Sequence, residues 1–118
     1  MKTILITGGS RGIGEAIVRL AVGKYKVAFT YNTNEAKAKA LAEEVGASAY
    51  PCDVSSSQSV ENMIDSVVRD FGRIDLLVNN AGIAEDKLFQ DLTDQDWHRM
   101  MGVNLDGTFF VVFLNLLL

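Results

Sequence analysis

The sequence has little of what marks disulfide-rich and metal-bound proteins. Its 118 residues contain one cysteine, one proline and one histidine. One cysteine excludes an internal disulfide, and no cysteine/histidine cluster offers the ligands of a structural zinc. We therefore expect no metal site and a fold stabilised by its apolar core.

Basic charge and long apolar runs are also scarce. The net charge of -4 provides no basic surface for nucleic acid or anionic lipid. The apolar stretch from Phe109 to Leu118 is interrupted by Asn115 and is shorter than the ~20 residues that cross a bilayer. Met1 and Lys2 lead straight into an apolar run, without the parts of a signal peptide. We predict a cytoplasmic protein that binds neither nucleic acid nor membrane.

What the sequence does contain is an alternation of short apolar runs with stretches of helical spacing. The four candidate strands are Ile4–Ile6, Val27–Phe29, Ala47–Tyr50 and Leu76–Val78. The helical stretches between them have apolar faces formed by Ile13/Ala16/Ile17/Leu20, Ala38/Leu41/Ala42/Val45 and Val60/Met63/Ile64/Val67/Val68/Phe71. Continuous apolarity in the first and fourth runs favours a parallel sheet that is buried on both faces. The pattern predicts one doubly wound α/β domain over residues 1–118, with helices on both faces of the sheet.

Cap and turn residues support these boundaries. Glycines suited to left-handed C-terminal caps follow the three helical stretches, at Gly23, Gly46 and Gly72. Helix starts are indicated by two capping pairs, Ser55 with Gln58 ahead of the third helix and Thr93 with Asp96 ahead of a fourth.

The first strand runs into a glycine-rich loop, Thr7 to Gly14, which runs directly into the first helix. A pyrophosphate binds at a helix N-terminus when unpaired N–H groups point at it and no side chain blocks the backbone. We expect Gly8, Gly12 and Gly14 to clear that space. A generic glycine-rich turn is the alternative, but the position between strand and helix favours a phosphate site. The spacing is Gly-x-x-x-Gly-x-Gly, and no Walker-type Lys-Ser/Thr follows it.

Two motifs together resemble the short-chain dehydrogenase/reductase family. Its Thr-Gly-x-x-x-Gly-x-Gly loop is matched from Thr7 to Gly14, and its Asn-Asn-Ala-Gly signature is matched from Asn79 to Gly82. The similarity extends from about Lys2 to Phe110 and most resembles the 3-oxoacyl-(acyl-carrier-protein) reductase branch. The resemblance implies a Rossmann-type sheet of four strands in the order 3-2-1-4, with a dinucleotide cleft beside strands one and four.

The resemblance also implies roles for individual residues. Asp53, followed by Val54, would accept a hydrogen bond from the adenine amino group, and Asn104 would support the family's proton relay. The residues expected around the dinucleotide are Gly8, Ser10, Arg11, Gly12, Ile13, Gly14, Tyr31, Asn32, Thr33, Cys52, Asp53, Val54, Asn80, Ala81 and Gly82.

The end of the second strand indicates which nicotinamide cofactor is preferred. Folds that prefer NAD place an acid there to bind the ribose 2′-hydroxyl. This sequence has Tyr31, Asn32 and Thr33, so no carboxylate repels a 2′-phosphate, and Arg11 supplies a positive charge able to reach one. We predict NADP(H), with NAD(H) as the alternative. Purely local interpretations remain open, with Arg11 as a solvated charge and Asn32 and Thr33 as turn formers.

The family's Tyr-x-x-x-Lys pair does not occur in these residues. None of Tyr25, Tyr31 and Tyr50 is followed by a lysine four positions later. A ketone oxygen must be protonated as hydride arrives, and a positioned acid contributes about 10²–10⁴-fold to such steps. The amide of Asn104 cannot replace that acid. We therefore expect these 118 residues alone to transfer hydride negligibly.

Two other reactive side chains are predicted to be structural. His98 and Trp97 fall in the helical stretch after Thr93, where a partly exposed histidine and a core-facing tryptophan are the usual outcome. Cys52 is expected to be a small buried apolar side chain rather than a nucleophile.

After Thr108 the sequence is apolar on every face of the expected helix. A helix without a polar face must be buried against something. We expect a homo-oligomer that associates through Phe109 to Leu118, and a truncated or frame-shifted product is the other origin of such a pattern.

The resemblance implies an NADP(H)-dependent oxidoreductase acting on a small carbonyl or alcohol substrate, with 3-oxoacyl thioesters as one candidate class. Two other classes of function remain open. One is a non-catalytic dinucleotide-binding module that self-associates, and the other is a structural fragment that binds no ligand. A titration with NADPH separates the last two.

Overall fold

The computed structural model describes residues 1–82 and 91–116, with side chains described as far as residue 112. Its sheet has four parallel strands, β1 (Thr3–Ile6), β2 (Lys26–Tyr31), β3 (Ser48–Pro51) and β4 (Leu76–Val78). Their order is β3-β2-β1-β4, which confirms the expected 3-2-1-4 arrangement. The carboxyl ends of β1 and β4 therefore lie side by side, at the point where the strand order reverses.

Among the residues that the structure describes, five α-helices connect and follow these strands. They are α1 (Gly12–Ala21), α2 (Glu35–Val45), α3 (Ser57–Phe71), α4 (Asp94–Met101) and α5 (Gly107–Leu116). Five residues of π-helix, Gly102–Asp106, join α4 to α5. The capping box predicted for the fourth helix is confirmed, because Thr93 and Asp96 exchange side-chain and backbone hydrogen bonds. No helix among the described residues is long and apolar enough to cross a bilayer.

Two separate clusters of buried side chains lie on opposite faces of the sheet. On one face Ile6 and Phe29 pack with Val18 of α1, and on the other Leu5 packs with Val111 of α5. All five side chains are fully buried. Burial of an aliphatic or aromatic side chain of this size contributes roughly 1.5–3 kcal/mol each. The doubly wound prediction is confirmed.

The apolar face of α1 is rotated by one residue from its predicted position. Ile13 and Leu20, expected to face the sheet, are 74% and 77% exposed, whereas Gly14, Val18 and Ala21 are buried. The buried residues recur at intervals of four and three, so they form one row along the helix. The sequence offered two apolar rows, and contact with the sheet selected the second.

The cap predictions hold in part. Gly23, Gly46 and Gly72 all have a positive φ, as predicted for glycines that follow a helix, although the C-cap of α1 is the extended Val22, one residue before Gly23. The N-cap of α3 is Ser56, whose side chain accepts from the backbone of Ser59. The predicted cap, Ser55, is instead hydrogen-bonded to Asp53.

Two burial expectations are wrong. Trp97, expected to face the core, is 56% exposed, because the buried residue of α4 is Asp96. Leu76 of β4 is 40% exposed, although the strand's continuous apolarity predicted burial on both faces. β4 is an edge strand among the described residues, and this position explains the exposure.

Candidate dinucleotide site

The loop between β1 and α1 is fixed by two buried hydroxyl groups. Thr7, only 1% exposed, accepts hydrogen bonds from the backbone N–H groups of Asn80 and Ala81, both at 3.0 Å. Thr30 at the end of β2, also 1% exposed, accepts from the N–H of Gly8 at 3.2 Å. The loop is thereby tied to the ends of both neighbouring strands. Thr30 was not predicted as part of this site, because a threonine in a strand carries no motif of its own.

Gly14 has a different role from the one its motif suggested. It is buried beneath the loop, where a Cβ atom would lie 2.0 Å from the Gly8 carbonyl oxygen and 2.5 Å from Asn80 Nδ2. The Asn80 side chain itself donates to that carbonyl at 3.0 Å. Gly14 therefore lets the helix pack on the loop, and it does not line the space where a ligand would lie.

The first turn of α1 is open to an anion. Its N-cap residue, Arg11, makes no side-chain cap hydrogen bond. Gly12 has a φ of +58°, and a Cβ atom placed on it would meet none of the described residues within 4 Å. Arg11 and Ile13 are exposed on either side of Gly12. Because the first N–H groups of a helix lack intrahelical partners and carry partial positive charge, this turn suits a phosphate.

An open cleft of about 920 Å³ lies over this turn. It contains every residue predicted around the dinucleotide except Gly14, namely Gly8, Ser10, Arg11, Gly12, Ile13, Tyr31, Asn32, Thr33, Cys52, Asp53, Val54, Asn80, Ala81 and Gly82. Sequence reasoning missed five further lining residues, Thr30, Asn34, Ser55, Arg99 and Val103. The last two come from α4 and the π-helical segment, where the motif had indicated only Asn104.

The turn after β3 holds a carboxylate at the cleft. Asp53 Oδ1 accepts from the backbone N–H of Ser55 at 3.0 Å and from its hydroxyl at 2.6 Å. The N–H of Asp53 donates to Ser59 Oγ at 2.9 Å. Within the described residues no group donates a hydrogen bond to the other carboxylate oxygen, Oδ2, so this atom can accept from a ligand.

Cys52 lines the cleft as a neutral structural side chain. It is 5% exposed, and burial raises the pKa of its thiol to about 11. A thiol with that pKa is protonated at neutral pH and is a poor nucleophile. The prediction of a small buried apolar side chain is confirmed.

Asn104 lies beside the cleft rather than in it. It belongs to the π-helical segment, and its Oδ1 would be 3.2 Å from a Cβ atom placed on Gly82. Gly82 itself lines the cleft, but Asn104 does not. The structure therefore places Asn104 next to the Asn-Asn-Ala-Gly segment, where a Cβ atom at position 82 would require the Asn104 side chain to shift by a few tenths of an ångström.

Comparison with known proteins decides the family. The profile described as short chain dehydrogenase matches residues 2–116. The chain belongs to the short-chain dehydrogenase family. An acetoacetyl-CoA reductase from Rhizobium meliloti is 47% identical to this short-chain dehydrogenase chain over 109 residues, which cover 92% of the chain and 45% of the relative.

Other relatives and solved structures agree. A 3-oxoacyl-(acyl-carrier-protein) reductase from Staphylococcus epidermidis is 41% identical over 114 residues, covering 92% of the chain and 47% of the relative. A short chain dehydrogenase from Burkholderia cenocepacia, crystallised in complex with NADP, superposes with a TM-score of 0.92 at 34% identity. That comparison covers 98% of this chain and 49% of the other. The chain spans a little under half the length of these members of the short-chain dehydrogenase family.

Proposed function

We propose that the cleft binds NADP(H) and that the chain provides the nucleotide-binding part of a short-chain oxidoreductase. The observation that carries this proposal is the open first turn of α1, with Arg11 beside it, facing a cleft that also contains Asp53. The positively charged turn matches the phosphate end of an adenosine phosphate, and the Asp53 carboxylate, a hydrogen-bond acceptor, matches its adenine amino group.

The residues present fit the dinucleotide. The backbone amides of Gly12 and Ile13 would hold the pyrophosphate, because no described side chain caps this turn and Gly12 has no side chain to cover it. The Arg11 guanidinium would hold a 2′-phosphate, since the nearby cleft residues Asn32 and Thr33 carry no negative charge. Asp53 Oδ2 would accept from the adenine amino group.

The reaction we propose for the whole protein is reduction of a 3-oxoacyl thioester or oxidation of the matching alcohol. The names of the two relatives, an acetoacetyl-CoA reductase and a 3-oxoacyl-(acyl-carrier-protein) reductase, support this substrate class. The bound cofactor would supply or accept the hydride. The described residues would bind and orient it, with Thr7 and Asn80 keeping the loop in place.

A coenzyme titration tests the binding proposal. Arg11→Ala is expected to weaken NADPH binding by about 10- to 100-fold, the loss of a charge-assisted contact, and to leave NADH binding within about twofold. The matched control is Arg69→Ala, which removes an arginine that is 72% exposed on α3 and outside the cleft. Isothermal calorimetry measures all three proteins. The proposal is wrong if wild-type protein gives no binding heat, and the Arg11 assignment is wrong if NADH binds as tightly as NADPH.

An activity assay tests the expectation that these residues alone lack the proton donor. We expect the purified 118-residue protein to oxidise NADPH negligibly in the presence of an acetoacetyl thioester. Appreciable turnover above the buffer rate would contradict this expectation, while leaving the binding proposal intact.

We also propose that the chain self-associates through the outer surface of α4, the π-helix and α5. Trp97, Leu105 and Phe109 are 56–58% exposed there, which is unusual for such large apolar side chains. Light scattering after size exclusion should give a mass above that of a monomer, and Phe109→Asp should lower it. The control is Leu20→Asp, at an exposed leucine of α1. A monomer at micromolar concentration would contradict the proposal.

A further inference from the structure

Ser55 belongs to the turn after β3 and lines the cleft together with Asp53. We propose that Ser55 is a positioning residue, whose hydroxyl orients the Asp53 carboxylate so that Oδ2 accepts from the amino group of adenine. The pair would thereby set the preference of the site for a base that bears an amino group. This inference rests on the proposed coenzyme binding and adds to it a residue that acts through Asp53.

The Asp53 carboxylate is held through one of its two oxygens. Oδ1 accepts twice from Ser55, from the backbone N–H at 3.0 Å and from the hydroxyl at 2.6 Å. A length of 2.6 Å is typical of a hydroxyl that donates to a charged carboxylate, and such bonds are about twice as strong as neutral ones. Oδ2 belongs to the same planar group and has no donor among the described residues. The two bonds to Oδ1 therefore determine where Oδ2 points.

The backbone of Asp53 is fixed separately, by the start of α3. Its N–H donates to Ser59 Oγ at 2.9 Å, and its carbonyl oxygen accepts from the N–H of Ser56 at 3.0 Å. Neither bond involves the Ser55 hydroxyl. Removal of that hydroxyl would therefore leave the turn in place and release only the carboxylate, because the χ2 torsion of an aspartate is broad when nothing holds it.

An oriented carboxylate can distinguish two purine bases that differ at one position. A carboxylate oxygen accepts hydrogen bonds and has no hydrogen to donate. Adenine presents an amino group at the position where hypoxanthine presents a carbonyl oxygen, which a carboxylate repels. A site built for one hydrogen bond discriminates against a ligand that lacks it, because the polar group of the protein is left unpaired. The distinction needs a fixed carboxylate, since a mobile one can turn away from the carbonyl oxygen.

Calorimetric titrations of Ser55→Ala with NADPH and with its hypoxanthine analogue test the inference. We expect wild-type protein to bind NADPH more tightly than the analogue. Ser55→Ala should weaken NADPH binding by about 3- to 10-fold, the usual net contribution of one hydrogen bond. Binding of the analogue should stay within about twofold of wild type, because the analogue has no amino group for Asp53 to accept from.

Two further variants serve as controls. Ser55→Thr keeps the hydroxyl and should retain the wild-type affinity for NADPH. Ser57→Ala makes the same chemical change at an exposed serine of α3 that does not line the cleft, and it should leave both affinities unchanged. Thermal unfolding of each variant checks that the fold is retained.

The outcomes separate this inference from the proposed function. Unchanged NADPH affinity in Ser55→Ala, or an equal loss for NADPH and the analogue, would overturn the role of Ser55 and leave the coenzyme site standing. Equal binding of the two ligands by wild-type protein would show that Asp53 does not recognise the amino group, and would overturn the inference as well. If wild-type protein binds neither ligand, the proposed function fails and this inference fails with it.

Discussion

The loop after β1 and the α4–α5 segment border the same cleft, but they are held in place by different interactions. The loop is held by directional hydrogen bonds, in which Thr7, Thr30 and Asn80 take part. The α4–α5 segment is held by the close approach of Gly102 and Gly107 to Ser55 and Val54. Directional hydrogen bonds need particular residue types at particular positions, so they can be recognised as a sequence motif. Close steric packing requires only a small residue such as glycine, and a glycine in the sequence does not indicate which residue it packs against.

The two regions are alike in that each buries one side and exposes apolar side chains on the other. Thr7, Gly14 and Val18, in and after the loop, are buried, whereas Ile13 is 74% exposed. The α4–α5 segment buries Val111 but exposes Phe109 at 58%. Our proposed self-association would cover the exposed side of the second region.

The largest effect in this comparison is expected from Gly14→Ala. The added Cβ atom would overlap a backbone oxygen at 2.0 Å, and backbone cannot move aside without unpacking the loop from α1. We expect a loss of about 3 kcal/mol in the free energy of unfolding, at the upper end for overpacking, together with loss of NADPH binding. Urea denaturation and calorimetry measure the two effects. Near-normal stability and affinity would show that the loop does not pack tightly on α1.

Thr7→Val tests the hydrogen bonds of the loop without changing its volume much. It leaves the N–H groups of Asn80 and Ala81 without their acceptor, which should cost about 2 kcal/mol in the free energy of unfolding. Thr7→Ser, which keeps the hydroxyl, is the control and should recover most of the loss. Destabilisation by Thr7→Ser with little effect of Thr7→Val would mean that the methyl group, and not the hydroxyl, matters.

Gly107→Ala tests the close packing of the α4–α5 segment against Val54. Alanine favours a helix over glycine by about 1 kcal/mol, but the new Cβ atom would lie 2.7–2.9 Å from Val54. We expect the clash to outweigh the helix preference, with a net loss of about 1 kcal/mol and weaker coenzyme binding. Gly102→Ala is the control, since its Cβ atom meets only Ser55 Cβ at 3.4 Å among the described residues and should be neutral or stabilising. The comparison fails if the two substitutions have effects of the same sign.

The smallest effect is expected at the opposite end of the sheet. The backbone N–H of Thr3 donates to Asp75 Oδ2 at 2.7 Å, and this bond, followed by that from Arg73, lowers the pKa of the Asp75 carboxyl. A lowered pKa in the folded state stabilises the protein above the ordinary aspartate pKa of about 3.9, and the gain is lost as pH falls through the lowered value. Asp75→Asn should therefore be less stable than wild type from about pH 5 to 8 and approach it in acid. Urea denaturation from about pH 7 down into the acid range, through the ordinary aspartate pKa of about 3.9, measures the difference in the free energy of unfolding. A difference that stays the same in acid would contradict this account.

Much of the fold was predictable because strand and helix patterns repeat over many residues. The sheet order followed from the family resemblance, and the apolar faces of α2 and α3 followed from helical spacing. The face of α1 was not predictable, because Ile13/Ile17 and Gly14/Val18 offer two adjacent rows and only packing on the sheet selects one. Trp97 failed for a similar reason, since the short helix α4 buries Asp96 instead.

The candidate site was also predictable only in part. Residues in the glycine-rich loop and at the strand ends could be predicted, since they belong to sequence motifs. Arg99 could not, because its place at the cleft depends on where α4 lies, and this position is set by Gly102 and Gly107 against residues far away in the sequence. Gly14 was correctly predicted to require a glycine, but the predicted reason, space for the pyrophosphate, was wrong. The spacing of the motif does not distinguish a glycine that packs under the loop from one that faces a ligand.

The central claim is that the first turn of α1 receives the phosphates of NADP(H). Amide NMR spectra of the 118-residue protein, recorded during a titration with NADPH, test it most directly. We predict the largest shifts at the N–H groups of Gly12 and Ile13, with smaller shifts at Asp53 and Ala81 across the cleft. Saturable binding that leaves Gly12 and Ile13 unshifted, with the changes gathered elsewhere on the protein, would contradict the claim.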